Sequence, residues 1–576
     1  MSPMLPALER AARWLPLALG VLLCTASPLW ADRLVTTDGR ILEVKKARVE
    51  GQGFRLTFDN GEIVLKDSSL VKAVEIEGDM SDYVPKDETE RTNLAKGFVK
   101  YGGAWMSKQA YEDKLALEHA RTLKRTEEMR AHADFDSGWT KETAHFAIRS
   151  NTSPEILDYY ANLLETYYAL MDNRFGINPS PSLRRTKMSV NIFKNRKEFQ
   201  EYTKVPQGVA GFFSPSDQSL NFFHDYAEND ISNWVSLHEC THLLTFLIDP
   251  QYVSQIWVNE GVADYFGSAE IAVDKKRGKI TITPGRLQTD RVLTVQQAIS
   301  EGNDIKLENL FKIQRDDFHA FEYSHAWSFV YFLNQTPKYK KGFDRFFKDL
   351  YSLAKGIEYE IVDYASFGGG RGKRVPPEEI RRLLLSCLGV KDSAVLEKEW
   401  KEFIAKVPIE GPAARFKRAY YMIVQGAMFS DAKDPNQARA QTIKNLERAL
   451  ADLDAAIDSG IQDPRAYYAR YRARMMAPMA GGGGSTASLR EGMRQDLDKA
   501  IELDPLNAGY RYALGNLLAA DGLLDLGDMG SVQVGGENAE KVPLVPEAAA
   551  SLGLAVELAP ENESYRERHA KYVASK

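Results

Sequence analysis

The chain is 576 residues long, 44% hydrophobic and 27% charged, with a formal net charge of -6. That length exceeds what one core ordinarily serves and argues for roughly three or four domains, and the composition is that of a folded globular chain rather than a disordered or membrane-spanning one. There is no basic surplus to neutralise phosphates, which excludes nucleic acid as a general partner.

The first thirty residues stand apart. Arg10 and Arg13 precede the apolar run Trp14 to Cys24, and a less regular stretch ends at Ala31; this is the layout of a secretory signal peptide, here 1–31. The run is about half the length a bilayer requires, so cleavage after Ala31 is favoured over a permanent anchor. An extracytoplasmic protein with no transmembrane segment after cleavage is expected. Lipid attachment at Cys24 is a weaker reading, because Leu23 stands where such sites want a small residue. Cleavage leaves Cys240 and Cys387, which is no disulfide framework, and no bridge is expected between them.

Residues 32–79 read as short β segments punctuated by Asp38-Gly39 and Asn60-Gly61, pairs suited to tight hairpins. A small SH3-like β barrel is expected, as a packing or spacer module ahead of a binding one. Over 80–141 charge density rises and alternation fades, and Tyr111 to Ala133 reads as one exposed helix inside a helical linker.

A domain over 142–408 follows. Ala144 to Ser150 alternates as a strand, Pro154 to Phe175 repeats its apolar residues at three and four as a helix, and Lys187 to Phe193 is a second strand. Gly208 to Phe223 reads as a hairpin turning at Pro215-Ser216-Asp217-Gln218. Strand, helix, strands and helix is an α+β order in which a mixed sheet backs the next helix. Val375 to Val407 reads as helical, and Gly368 to Lys373 lacks the spacing of a phosphate-binding loop and is taken as a flexible connection.

The last part, 414–576, repeats itself. Leu453 to Met476, Leu497 to Ala520 and Leu552 to Ala574 each join two amphipathic helices through a turn, with Pro464, Pro505 and Pro560 in register. The tracts Gly481 to Ser485 and Asp528 to Val545 lengthen the intervals. These all-α repeats resemble tetratricopeptide repeats, which implies a concave face for a protein or peptide partner, or equally a structural appendage.

The chemistry sits on Trp234 to Leu244, an apolar helix broken by His238, Glu239 and His242. Spacing of four puts both imidazoles on one face, aimed at one ion, and zinc suits neutral imidazoles. Glu239 stands beside the ion rather than on it, in place to act as a base toward water. With nine His in the chain, a chance H-E-x-x-H arises about once in a hundred such sequences. A catalytic zinc takes a third protein ligand from another element. Glu260, in Trp257-Val258-Asn259-Glu260-Gly261-Val262-Ala263-Asp264, supplies it. Asp264 falls at i+4 behind it, placed to hold the outer N–H of a ligating histidine. Cys240 points away from the histidine face, and His224 is read as a surface histidine rather than a fourth ligand. The helix Phe321 to Phe332 offers Tyr323 and His325 as donors to an oxyanion.

His238-Glu239-x-x-His242 followed by Asn259-Glu260-Gly261-Val262-Ala263-Asp264 resembles the gluzincin zinc metallopeptidases, the thermolysin-like and peptidase-MA-like proteins, over about Glu142 to Pro408. Seventeen residues separate His242 from Glu260, slightly fewer than in the best-known aminopeptidase members. The resemblance implies a zincin-like fold and a Zn2+ cofactor on His238, His242 and Glu260. It also implies Glu239 as general base and acid, Asp264 as partner of His238, and Tyr323, ahead of His325, as oxyanion donor. It places an edge strand for an extended peptide substrate at Gly208 to Phe223. The rival expectations are a non-enzymatic binding protein with a vestigial zinc site, and a zinc amidase acting on cell-wall peptides.

Overall fold

The computed structural model describes residues 32–574 apart from 37–39, 51, 76–84, 86, 102–103, 178, 180–185, 207–208, 225–228, 275–276, 365–369, 425–433, 478–485, 520–522, 526–530, 534–543 and 561. The signal peptide expected over 1–31 and the glycine tract at 481–485 lie outside the described residues. The chain divides into two compact units, Met1–Tyr111 and Glu112–Lys576.

In the first unit the strands are β1 (Asp32–Thr36), β2 (Ile41–Val44), β3 (Lys46–Glu50), β4 (Gly53–Thr57), β5 (Glu62–Leu65) and β6 (Val71–Glu75). They form two antiparallel sheets, ordered β2-β1-β6 and β3-β4-β5. Alternation drives the folding: Leu34, Leu42, Leu56, Ile63 and Leu65 turn inward. The expected barrel is not closed among the described residues. Where a ladder would join β1 to β3, the buried Asp32 carboxylate accepts the Ala47 N–H at 2.6 Å. The stretch read as linker contains α1 (Glu88–Ala95), capped by Asp87, then the hairpin β7 (Phe98–Tyr101) and β8 (Ala104–Ser107) before α2 (Lys108–Ala131). The hairpin escaped the sequence because its two strands are four residues each and carry no clean alternation.

The second unit opens on β9 (Trp139–Glu142), β10 (Phe146–Ser150), α3 (Pro154–Phe175), β11 (Met188–Phe193), α4 (Arg196–Thr203), β12 (Gly211–Ser214) and β13 (Ser219–Phe223). Ser153 caps α3, with Pro154 in its first turn. The five strands make one mixed sheet ordered β12-β13-β11-β10-β9, in which β10, β11 and β13 run parallel and β12 is an edge. Next come α5 (Asn229–Ile248), β14 (Tyr252–Val253), α6 (Ile256–Gly267), the hairpin β15 (Ala269–Asp274) and β16 (Lys279–Pro284), α7 (Thr289–Glu301), α8 (Leu307–Leu310), α9 (Ala320–Gln335) and α10 (Pro337–Tyr351). The sequence β17 (Glu360–Tyr364), β18 (Gly370–Arg374), α11 (Pro377–Leu388) and α12 (Ser393–Ala405) closes this part. One large core runs from Phe146 to Ile409. The Gly-Arg-rich segment taken as a flexible connection is β18, paired with β17 and β14; its partners come from distant sequence, so no local pattern announces it.

Among the described residues, α13 (Pro412–Val424) is followed by α14 (Pro435–Asp458), α15 (Pro464–Met476), α16 (Thr486–Leu503), α17 (Ala508–Ala519), α18 (Pro546–Leu558) and α19 (Glu563–Ala574), and the closest packing joins α13 to α14, α15 to α16 and α17 to α18. A short hairpin, β19 (Leu523–Asp525) and β20 (Ser531–Gln533), lies between α17 and α18. Three small apolar clusters, centred on Leu453, Leu497 and Leu552, run along the array. The buried Arg418 on α13 clamps the buried Asp452 on α14 through two contacts of 2.6 and 2.5 Å. α13 also docks on α7 and the segment before it: Arg286, ahead of α7, donates to the Tyr421 hydroxyl at 2.6 Å, and Thr289 at its start donates to the Ala414 carbonyl at 3.2 Å.

Candidate metal centre

α5 buries Leu237, Cys240, Leu243 and Leu244 among the core residues. Its opposite side presents His238, Glu239 and His242 to a cleft of about 860 Å3. α6 crosses it and brings Glu260 to the same point. The close approach needs Gly267, because a Cβ there would stand 3.0 Å from the His238 backbone nitrogen.

His238 Nε2 and His242 Nε2 lie 3.2 Å apart, and Glu260 Oε2 is 3.4 Å from the first and 3.5 Å from the second. A tetrahedral ion bound at about 2.0–2.1 Å separates its ligand atoms by about 3.3 Å, so the triangle fits such an ion. The three residues form a group able to bind a metal ion.

The electrostatics favour a positive charge there. Burial opposes charge on His238, yet the carboxylates of Asp264 and Glu260 hold it up at about 10. Burial likewise opposes charge on Glu260, and the two histidines override it, holding the carboxyl well below its usual range.

Each ligand is held from behind. The fully buried Asp264 carboxylate stands 3.2 Å from Nδ1 of His238 and 2.6 Å from the Arg291 guanidinium on α7. Asn259 Oδ1 lies 3.1 Å from Nδ1 of His242; if it accepts that N–H, Nε2 is left free to ligate. The guanidinium of Arg315 lies 3.4 Å from Glu260 Oε1. Glu239 is not among the grouped donors; its Oε2 accepts the Phe213 N–H from the edge strand β12 at 2.9 Å. Tyr323 stands in the cleft wall beside Glu260, its phenol pushed up by burial and then by that carboxylate. The Arg291 guanidinium lies 5.6 Å from its ring centre.

Other candidates fall elsewhere. His325 is fully buried, with Nδ1 at 2.8 Å from the Phe321 carbonyl and Nε2 accepting the Ile305 N–H at 3.3 Å, so it does not face the cleft. His224 is buried, not on the surface: it contacts the Tyr160 hydroxyl at 3.0 Å, and burial lowers it to about 4. The strand β13, fully buried, carries it inward. Cys240 is a buried free thiol, and Cys387 is also free.

The sequence reading missed Asn259 as a partner of His242, although it adjoins Glu260 in the same motif. It also missed Arg291 and Arg315, which meet the site from other elements and carry no spacing signal.

Residues 235–355, a segment that contains the three grouped donors, Asp264, Arg291 and Tyr323, match the family described as "Protein of unknown function (DUF1570)". No curated protein and no solved structure matches the chain.

Proposed function

We propose that the chain is an exported zinc-dependent peptidase of the gluzincin type, with Zn2+ held by His238, His242 and Glu260. The observation that carries this reading is the convergence of the three donors on one point with Glu239 beside them and outside the ligand set. A purely structural site has no use for such a base. When bound, zinc supplies a Lewis acid at that point.

The chain's own groups do the rest. Glu239, oriented by the Phe213 N–H, takes a proton from the attacking water and delivers it to the leaving amine. The Tyr323 hydroxyl, protonated at neutral pH as an ordinary phenol is, donates to the developing oxyanion. Asp264 and Asn259 keep the outer nitrogens of His238 and His242 engaged, so that the Nε2 atoms point inward. The substrate is a peptide or protein, and the helical repeats offer a surface for a protein partner.

The test is metal analysis combined with hydrolysis of a broad pool of quenched peptides. Wild type is expected to hold about one zinc per chain, to lose hydrolysis on chelation and to regain it with zinc. Glu239→Gln should keep its zinc and lose roughly 10²–10⁴-fold in rate. Unchanged hydrolysis by Glu239→Gln would refute the reading.

A further inference from the structure

The metal cleft has a second arm. A cavity of about 1030 Å3 meets the first one at Gly211, His238, Glu239 and Tyr323. On α5, Ile231 and Trp234 line only the second arm, whereas His242 and Phe246 line only the first. Beside it, Gly211 at the start of β12 is shared by both arms, Ala210 lines only the second, and Val209, Phe212 and Phe213 line only the first. α5 thus passes from one arm to the other through His238 and Glu239, so the two arms extend along this helix in opposite directions from the metal point.

An exopeptidase needs one side of its centre walled off, so that only a chain end enters. Here both sides are troughs of comparable size, each with room for several residues. The second trough has an outer wall from the helical array: Tyr421 and Met422 of α13 and Gln441, Lys444 and Arg448 of α14 line it. Those helices are fastened to the metal-binding part by the Arg286–Tyr421 bond and by Arg448 donating to Gln297. Lys444 and Gln441 are exposed on that wall.

We infer that the substrate is an internal segment of a polypeptide lying across the metal, cleaved away from its ends, and that the first helices of the array form its binding subsites on one side. This rests on the peptidase reading. It assigns the array a direct part in selecting sequence, with Lys444 favouring an acidic residue at one substrate position.

The experiment has two readouts. In the first, wild-type protein is given peptides about twelve residues long, with amino and carboxyl termini free or both blocked. Equal cleavage of blocked and free peptides at central bonds is expected. Release of single residues or dipeptides from free ends, with blocked peptides refused, would overturn the inference.

In the second, zinc-loaded Glu239→Gln protein is titrated with blocked peptides that differ by one Asp, Ala or Lys. Lys444→Glu in that background is expected to weaken binding about fivefold for Asp at a single position and to leave the positions across the metal unmoved. Melting temperature controls for folding, and Gln441→Ala serves as a second wall variant expected to alter the same position. Binding in this pattern without turnover by wild type would sink the peptidase reading and keep the two-armed cleft. Affinity independent of both wall residues would overturn their role as subsites.

Discussion

Asp264 is the residue on which the metal point most depends without ligating. It is shared by His238 and Arg291 at 3.2 and 2.6 Å in a fully buried position. Asp264→Asn should weaken zinc binding roughly 10–100-fold in a competition with a chromophoric chelator; an unchanged affinity would show that the contact does not orient His238. His224 gives a pH dependence of stability. Its folded value of about 4 lies below the ordinary 6.5 because burial disfavours the cation. The unfolded chain therefore binds the extra proton first, and stability present above pH 6.5 is lost as pH falls toward 4. The loss is on the order of 3 kcal/mol. His224→Gln should flatten the fall in melting temperature between pH 7 and pH 5, and an equally steep fall would assign it to other groups.

At the scale of elements, the site is an α5–α6 crossing, and Gly267 sets its distance. Gly267→Ala should cost about 1–3 kcal/mol in denaturant unfolding and lower zinc affinity as well, because the helices must part at His238. In the array, Asp452→Ala would leave the buried Arg418 guanidinium without its clamp, a loss of about 3–5 kcal/mol; a change below about 1 kcal/mol in the same unfolding measurement would contradict that. Helices with strong periodicity, such as α3, and strands with clean alternation, such as β10 and β11, could be read from sequence to within a residue or two. β18 could not, since a strand made of Gly, Arg and Lys has no β pattern and exists because β17 and β14 pair with it. The N-terminal sheets, which do not close into the expected barrel among the described residues, differ from that expectation for a related reason: alternation specifies which face is buried and not whether the last ladder closes. Within the site, His238, Glu239, His242, Glu260 and Asp264 were legible because helical spacing fixes their faces. Arg291 was not, because its meeting with Asp264 depends on how α7 packs.

Across the whole molecule, the metal point lies in the larger unit, Glu112–Lys576, on α5 and α6. No described helix is long and apolar enough to cross a membrane, and the proposed export is checked by sequencing the mature amino terminus, expected to begin after Ala31. The central claim is that this centre hydrolyses peptide bonds. A cleavage-site profile on a proteome-derived peptide library, comparing the zinc-loaded wild type with zinc-loaded Glu239→Ala, tests it most directly. New amino termini at internal bonds in the wild type, absent from the variant, are the expected result; identical profiles, or no new termini in either, would contradict it.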